Sequence, residues 1–202
     1  MSRPTHFRPD HQRLAVANEA ARIIQEEGLA DFRSAKEKAL ERLGLSPGST
    51  RLPSNEEIDQ ALAERIRIFR GDDHSLLLEE LRRAALSVLH ALKIHHARLV
   101  GPVLSGTVTD FSTIDMHLFN DAPEAIYATL ATLGFSPRPI QIRQQFRRGE
   151  VERFPGYRFR TLEFDYTATV FSLKHRRSSP LSPIDGRPMS RAGIQAVEAL
   201  LG

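Results

Sequence analysis

The chain has 202 residues, of which 41% are hydrophobic and 26% charged, with a formal net charge of +3 and no cysteine. This composition excludes a disordered chain and allows one large domain or two small ones. The lack of cysteine excludes disulfide bonds and thiolate metal sites, and no apolar run approaches the ~18 residues that cross a bilayer. The N-terminus lacks the apolar segment of a secretory signal, so we expect a cytoplasmic protein without membrane contact.

Helical periodicity dominates the first part of the chain and predicts four helices within residues 1–94. Each helix has a residue that can cap its start, and the first two end at a glycine. The starting residues are Asp10, Asp31 and Ser54, with Asp72 or Asp73 for the fourth helix, and the stopping glycines are Gly28 and Gly44. Ser54 and Glu57 form a capping-box pattern after a loop at 45–53 that is rich in turn formers. We therefore predict a helical domain over residues 1–94.

The period of the apolar pattern changes near residue 97. An apolar run over 97–104 is broken by Gly101 and Pro102, and residues 105–107 have the composition of a turn. Residues 113–119 then alternate as a strand does, with one apolar and one polar face. The apolar face carries Ile114, Met116 and Leu118, and the polar face carries Thr113, Asp115 and His117.

The remaining residues predict two more helices and two more strands, the second helix being a short one after a loop over 178–189. Asp121 and Glu124 form a second capping pattern before a helix that contains Pro123 in its first turn and ends at Gly134. Strands are predicted at 139–147 and 158–173, and the second would carry Glu163 and Asp165 on its polar face. The fold class is α+β, with the N-terminal helical segment followed by a small mixed sheet and flanking helices over residues 95–202.

A strand, a glycine turn and a second strand with acidic residues are the layout that a nucleotidyl-transfer site requires. The glycine lets backbone amides approach a triphosphate, and carboxylates on one strand face can share metal ions. In this chain the pattern is Val100-Gly101-Pro102, Ser105-Gly106-Thr107 and then 112–118. It resembles the signature of the nucleotidyltransferase superfamily (polymerase-β-like) over about residues 97–173. The N-terminal helices and the tail resemble a family of uncharacterised bacterial proteins that carry this core.

The resemblance implies roles for particular residues. Asp115, with Glu163 or Asp165 from a neighbouring strand, would be the catalytic acids, and Asp115 would hold Mg²⁺. A nucleoside triphosphate would be bound by Gly101, Ser105, Gly106, Thr107 and Thr113. The acceptor would be RNA, a protein or a small molecule.

Two departures from the superfamily pattern weaken the catalytic interpretation. Pro102 stands where a serine is expected, and Thr113 stands where the first aspartate is expected. A neutral hydroxyl cannot replace an anionic ligand that bridges two hard cations. The third carboxylate position is open among Glu163, Asp165 and the non-acidic Thr167, depending on the strand register. A degenerate active site is the prediction.

The excess positive charge lies in the second half of the chain, where residues 97–202 contain 13 lysines and arginines against 10 acids. We predict a phosphate- or nucleic-acid-binding face within residues 138–160, with Arg143, Arg147 and Arg148 as its central residues. The alternative is a solvated strand edge protected by charge. Three functions remain open: a Mg²⁺-dependent nucleotidyltransferase, a degenerate nucleotide- or RNA-binding module, and a non-enzymatic protein-interaction module.

Overall fold

The computed structural model describes residues 9–29, 31–48 and 51–202. The chain divides into two compact units, the first formed by Met1–His74 with Thr109–Phe111 and the second by Ser75–Val108 with Ser112–Gly202. The domain division predicted after residue 94 falls inside the second unit. Two features of the sequence interpretation lie partly outside the described residues: the N-terminus without a secretory signal, and the loop at 45–53, which includes Ser49 and Thr50.

The first unit contains three helices: α1 (Pro9–Glu27), α2 (Phe32–Arg42) and α3 (Asn55–Phe69). The predicted caps of α2 and α3 are confirmed: the Asp31 carboxylate accepts a hydrogen bond from Ser34 N, and Ser54 and Glu57 form the reciprocal capping box. The three helices share a core of small and branched apolar side chains that includes Val16, Ile23 and Ile58.

Helix α4 (Gly71–Ala91) begins one residue before the predicted start and buries Leu81, Ala85, Val88 and Leu89. Within the described part of the chain, no helix combines the length and the apolar character needed to cross a membrane. A short 3₁₀ helix (Lys93–His95) follows α4.

The second unit is built on a five-stranded mixed sheet, so the α+β fold class is confirmed. In chain order the strands are β1 (Arg98–Val100), β2 (Ile114–Phe119), β3 (Arg138–Arg147), β4 (Glu150–Arg160) and β5 (Asp165–Phe171). Helix α5 (Gly101–Ser105) follows β1, and α6 (Pro123–Thr132) follows β2. The strand order is β1-β2-β5-β4-β3, and β2 and β5 form a parallel pair, while the other neighbours are antiparallel. A 3₁₀ helix (Leu173–Arg177) and α7 (Ile194–Glu198) complete the unit.

The two faces of the sheet have different surroundings because successive side chains point to opposite sides. Ile114, Met116 and Leu118 lie on the face that forms the main core with Tyr166 and Phe159. The opposite face carries Asp115, and we call it the Asp115 face. At its far end Phe119, Phe154 and Phe171 form a second, aromatic cluster with Phe146.

The prediction of one strand over residues 158–173 is wrong. The structure has a hairpin instead, in which β3 turns at Arg148 and Gly149 into β4, and a separate connection over residues 161–164 leads into β5. Leu162, predicted on an apolar strand face, is fully exposed in that connection. Glu163 lies in the same connection and therefore does not lie on the polar face of a strand.

The second predicted capping pattern is also wrong, although its helix is present. The residue at the start of α6 is Ala122, which makes no side-chain cap, and the Asp121 carboxylate accepts a hydrogen bond from Leu173 N instead. Pro123 occupies the first turn of α6, as predicted. Asp121 therefore ties β2 to the segment that follows β5.

Candidate functional site

Asp115 lies at the start of β2 against the beginning of α5. The Thr113 hydroxyl donates a hydrogen bond to Asp115 Oδ1 at 3.0 Å, and a Cβ atom at Gly101 would stand 2.8 Å from Oδ2. Gly101 also has a φ of +70°, a conformation that L side chains rarely adopt. Glycine is therefore required here, both by the backbone and by the close approach of the carboxylate.

The environment of Asp115 disfavours its charged form. Burial raises the pKa of the Asp115 carboxyl to about 6, although the Thr113 hydrogen bond and the Arg158 guanidinium act in the opposite direction. Desolvation dominates the pKa of Asp115, because the Thr113 hydrogen bond and the Arg158 charge together do not return it to the ordinary carboxyl value. The side chain still keeps some contact with solvent. A half-buried acid that titrates near neutrality is typical of functional sites.

The strand register decides which residue stands beside Asp115. In the parallel β2–β5 pair, Asp115 lies opposite Thr167, and Thr167 in turn lies opposite Arg158 on β4. The resulting row across the sheet is Val100, Asp115, Thr167, Arg158 and Arg138. Of the three candidates for the third carboxylate position, the neighbour of Asp115 is the non-acidic Thr167.

The two predicted partner acids are placed differently from Asp115. Asp165 lies at the beginning of β5, is exposed, and approaches Arg160 at 3.5 Å. Asp165 lies two residues before Thr167 and therefore on the Asp115 face. Its ion pair with Arg160 is exposed to solvent and contributes little to stability. Glu163 lies outside the strand. Neither acid is the direct cross-strand neighbour of Asp115.

The residues around Asp115 do not fit a magnesium cage. Two metal ions need several anionic oxygens at one place, but Asp115 is surrounded by the hydroxyls of Thr113 and Thr167 and by the cation Arg158. Among the described residues, no group of three or more His, Asp or Glu side chains could hold a metal ion. A carboxyl that is readily protonated near neutral pH is in addition a weak ligand for Mg²⁺.

The residues predicted to bind a nucleotide lie at opposite ends of α5. Gly101 and Thr113 lie beside Asp115, at the beginning of the helix, whereas Ser105 is its last residue and Gly106 and Thr107 follow it. At that end the Arg82 guanidinium from α4 donates to Val103 O at 3.2 Å and to Leu104 O at 3.4 Å. A Cβ atom at Gly106 would contact Leu78 of the same helix. The structure therefore places two of the five predicted residues beside Asp115 and the other three at the far end of α5, where Gly106 lies against α4.

The arginines of the β3–β4 hairpin divide between the two faces of the sheet. Arg138 and Arg158 are paired across the strands and lie on the Asp115 face, whereas Arg143 and Arg153 are paired on the opposite face. Arg147 and Arg148 lie at and in the hairpin turn. These six side chains make no ion pair with any described residue. Arg143 therefore lies on the face opposite Asp115, and a phosphate- or nucleic-acid-binding role of Arg143, Arg147 and Arg148 stays a prediction.

His117 is buried, although it lies on the strand face that the sequence pattern marks as polar. Its side chain is 1% exposed, and its Nδ1 accepts a hydrogen bond from Arg191 Nε at 2.9 Å. Burial, reinforced by the Arg191 charge, lowers the pKa of His117 to about 3. Arg191 comes from the segment between the last strand and α7, 74 positions away. The alternating pattern of polar and apolar residues in β2 does not indicate that such a distant residue contacts His117.

A second buried histidine forms a polar network that the sequence did not reveal. Thr129 Oγ1 donates to Ala125 O at 2.9 Å, so its oxygen accepts from His95 Nε2 at 2.8 Å. Asn120 Nδ2 donates to His95 Nδ1 at 3.2 Å. Burial lowers the pKa of His95, and the nearby His96 acts in the same direction. The network thus fixes a neutral His95 between β2 and α6.

Comparisons with known proteins give a limited likeness. No protein-family model matches the chain, and no curated protein sequence matches it, so the resemblance to a bacterial family gains no support. Among solved structures, the chain is similar to Cid1 in complex with the UTP analog UMPNPP, with 19% identity, a TM-score of 0.35, and coverage of 46% of this chain and 30% of that chain. It is similar to a cytoplasmic RNA terminal U-transferase with 21% identity and a TM-score of 0.33, covering 46% and 28% of the two chains.

A third solved structure is the Cid1 poly(U) polymerase with bound MgGTP, which has 19% identity and a TM-score of 0.35 and covers 58% of this chain and 38% of that chain. The chain thus spans about a third of the length of these structures. A likeness at this level concerns part of the fold and transfers neither an activity nor a residue role.

Proposed function

We propose that this chain binds a nucleoside triphosphate or RNA on a nucleotidyltransferase-like core and does not catalyse metal-dependent nucleotidyl transfer. The observation that carries the proposal is the row Asp115, Thr167, Arg158 and Arg138 across the sheet. Where a transferase would need further carboxylates to hold metal ions, this row offers a hydroxyl and two guanidinium groups.

Arginine is suited to the role that the metal ions would otherwise have toward phosphate. Its planar fork donates two parallel hydrogen bonds to phosphate oxygens and carries a charge that does not titrate at neutral pH. Arg138 and Arg158 are exposed and make no ion pair with a described residue, so both are available to a ligand. Thr113 and Thr167 add hydroxyl groups beside them, and Asp115 can accept a hydrogen bond from a ligand hydroxyl or amino group.

The experiment compares two double variants that remove equal charge from the same two strands. Arg138→Gln/Arg158→Gln alters the Asp115 face, and Arg143→Gln/Arg153→Gln alters the opposite face. Fluorescence anisotropy with labelled ATP, UTP and a short RNA is measured in EDTA and in Mg²⁺. We expect binding in EDTA that the first variant weakens about tenfold or more and the second leaves within about twofold.

The comparison ligand is inorganic polyphosphate of similar charge, because any polyanion is attracted to a basic protein. Equal binding of polyphosphate and nucleotide, or equal loss in both variants, would mean that only general surface charge is involved. Nucleotide incorporation into RNA that requires Mg²⁺ and disappears in Asp115→Ala would overturn the non-catalytic proposal and establish the enzymatic alternative.

A further inference from the structure

A second group of cations lies on the Asp115 face, at the β1 edge of the sheet. Arg98 on β1 is the cross-strand neighbour of His117, and Arg191 approaches the same histidine from the C-terminal segment. His96 and Arg176 are close enough for their charges to interact with each other. We call Arg98, Arg176, Arg191 and His96 the β1-edge cluster.

Arg191 is held in one orientation by groups on several sides. Its Nε donates to His117 Nδ1, and its Nη1 donates to His175 O at 3.0 Å and to Ser178 O at 2.8 Å. The guanidinium also lies over the Phe119 ring, 5.0 Å from its centroid. Its Nη2 is buried, and no described residue accepts a hydrogen bond from it. A buried N–H group without a hydrogen-bond acceptor is energetically unfavourable. Binding of a further acceptor at Arg191 is therefore favoured.

Arg98 is also held in place, and some of its N–H donors make no hydrogen bond with a described residue. Its Nη1 donates to His96 O at 3.2 Å and to Ala97 O at 2.9 Å. Gly193 packs against it, since a Cβ atom there would lie 3.6 Å from Arg98 Nη1. Among the described residues, nothing accepts a hydrogen bond from its Nε or Nη2. The guanidinium is therefore positioned by backbone groups rather than by a carboxylate.

The positive charge of the cluster is not balanced by acids. In the described part of the chain, Arg98, Arg176 and Arg191 make no ion pair, and their histidine neighbour His117 is neutral. The cations instead oppose one another: burial and then Arg98 lower the pKa of Arg191 to about 10, and burial followed by Arg176 and Arg98 lowers the pKa of His96. Arg191 stays charged at neutral pH.

We propose that the β1-edge cluster binds a phosphoryl oxyanion, through Arg98 and Arg176 with Arg191 behind them. Several neighbouring cations favour a multiply charged tetrahedral anion over a single carboxylate, and guanidinium groups match phosphate oxygens geometrically. Arg98 and Arg158 lie on strands separated by three spacings of ~4.8 Å, so the cluster is a site distinct from the proposed nucleotide site. The phosphoryl group belongs either to a small phosphate compound or to a nucleic-acid backbone.

The test measures thermal unfolding in sodium phosphate against sodium chloride at constant ionic strength. A ligand at about ten times its dissociation constant is expected to raise Tm by ~3–6 °C. We expect Arg98→Gln and Arg176→Gln each to weaken the phosphate effect by about tenfold in apparent Kd. Arg176 is exposed and makes no hydrogen bond with a described residue, so its variant should fold even if Arg98→Gln does not.

Two controls separate this site from general charge and from the proposed function. Arg147→Gln removes the same charge at the hairpin turn and should keep the full phosphate effect. Arg138→Gln/Arg158→Gln serves as a second background: Arg176→Gln should weaken the phosphate effect there as much as it does in the wild type, so failure of the proposed nucleotide site leaves this test intact. Phosphate that stabilises no better than chloride, or an equal loss in Arg147→Gln, would overturn the proposal. So would a loss confined to Arg138→Gln/Arg158→Gln.

Binding of short RNA with and without a 5′-phosphate identifies the source of the phosphoryl group. If Arg176→Gln weakens both RNAs equally, the site takes backbone diesters. If it weakens only the phosphorylated RNA, or only inorganic phosphate, the site takes a terminal or small-molecule phosphate. If Arg176→Gln changes the binding of neither RNA, and phosphate also has no stabilising effect, the proposed site does not exist.

Discussion

Replacing Asp115 with asparagine should stabilise the second unit at neutral pH. The pKa of Asp115 is raised from 3.8 to about 6 in the folded protein, so ionisation weakens the native state. The sign follows from proton binding: between pH 3.8 and about 6 the folded state holds the proton and the unfolded state has lost it. Stability therefore falls across this range as the pH rises and becomes level above it. A shift of about 2 pKa units corresponds to about 3 kcal/mol, and because the side chain is partly exposed we expect about 1–3 kcal/mol.

Urea unfolding followed by tyrosine fluorescence measures this difference selectively, because all three tyrosines, Tyr127, Tyr157 and Tyr166, belong to the second unit. Asp115→Asn should be more stable than the wild type at pH 7.5, and the gain should shrink at pH 4.5. Asparagine can still accept the Thr113 hydrogen bond, so the local geometry is kept. The control Asp165→Asn removes an exposed ion pair and should change stability by less than about 1 kcal/mol at both pH values. A variant that is no more stable at pH 7.5, or a gain of equal size at both pH values, would refute the reasoning.

Four further predictions test the surroundings of the site and the helical unit. In the Asp115→Asn background, where the opposing titration is absent, stability should fall as the pH drops below 6.5, because the buried neutral His117 and His95 both bind a proton more readily in the unfolded state; urea midpoints at pH 7 and pH 5 measure this. Thr129→Val should cost about 1–3 kcal/mol by leaving the His95 Nε2 donor unpaired, while Thr129→Ser should cost less. Gly101→Ala should destabilise by about 1–3 kcal/mol, because it places a methyl group against Asp115 at a positive φ, and the loss should be partly relieved in a Gly101→Ala/Asp115→Ala double variant. Ser54→Ala should reduce the stability of the first unit by about 1 kcal/mol, which helix content by circular dichroism during urea unfolding reports.

The helices could be predicted because the signals that begin and end them are local. Asp31 and the Ser54–Glu57 pair lie within three or four residues of the amides that they cap. The β3–β4 hairpin was missed although its signal was present in Arg148 and Gly149, a two-residue turn whose glycine has a φ of +85°. The alternation of Leu162 and Phe164 continues through the connection before β5 and hides the break in the predicted strand.

The site depends on contacts that no local pattern contains. Thr167 lies beside Asp115, 52 positions earlier in the chain, because β2 and β5 pair in one particular register. A shift of that register by one residue would turn the Thr167 side chain to the other face of the sheet. The bond from Arg191 to His117 spans 74 positions, and a buried neutral histidine has the same local sequence as an exposed one. The acids and arginines could therefore be named from the sequence, whereas their grouping could not.

The parallel pairing of β2 with β5 has a consequence for how the proposed nucleotide site is assembled during folding. The β3–β4 hairpin and the β4–β5 connection close short loops, whereas joining β2 to β5 closes a loop of 52 positions that contains both. Loop closure over such a distance is entropically unfavourable, so a three-stranded meander of β3, β4 and β5 is expected to form earlier during folding. Arg158 and Thr167 come together in that early meander, but Asp115 joins them only in the late step. In a refolding experiment, formation of the hairpin would therefore precede the appearance of the proposed nucleotide affinity. The delay between the two events would measure how late β2 joins the sheet.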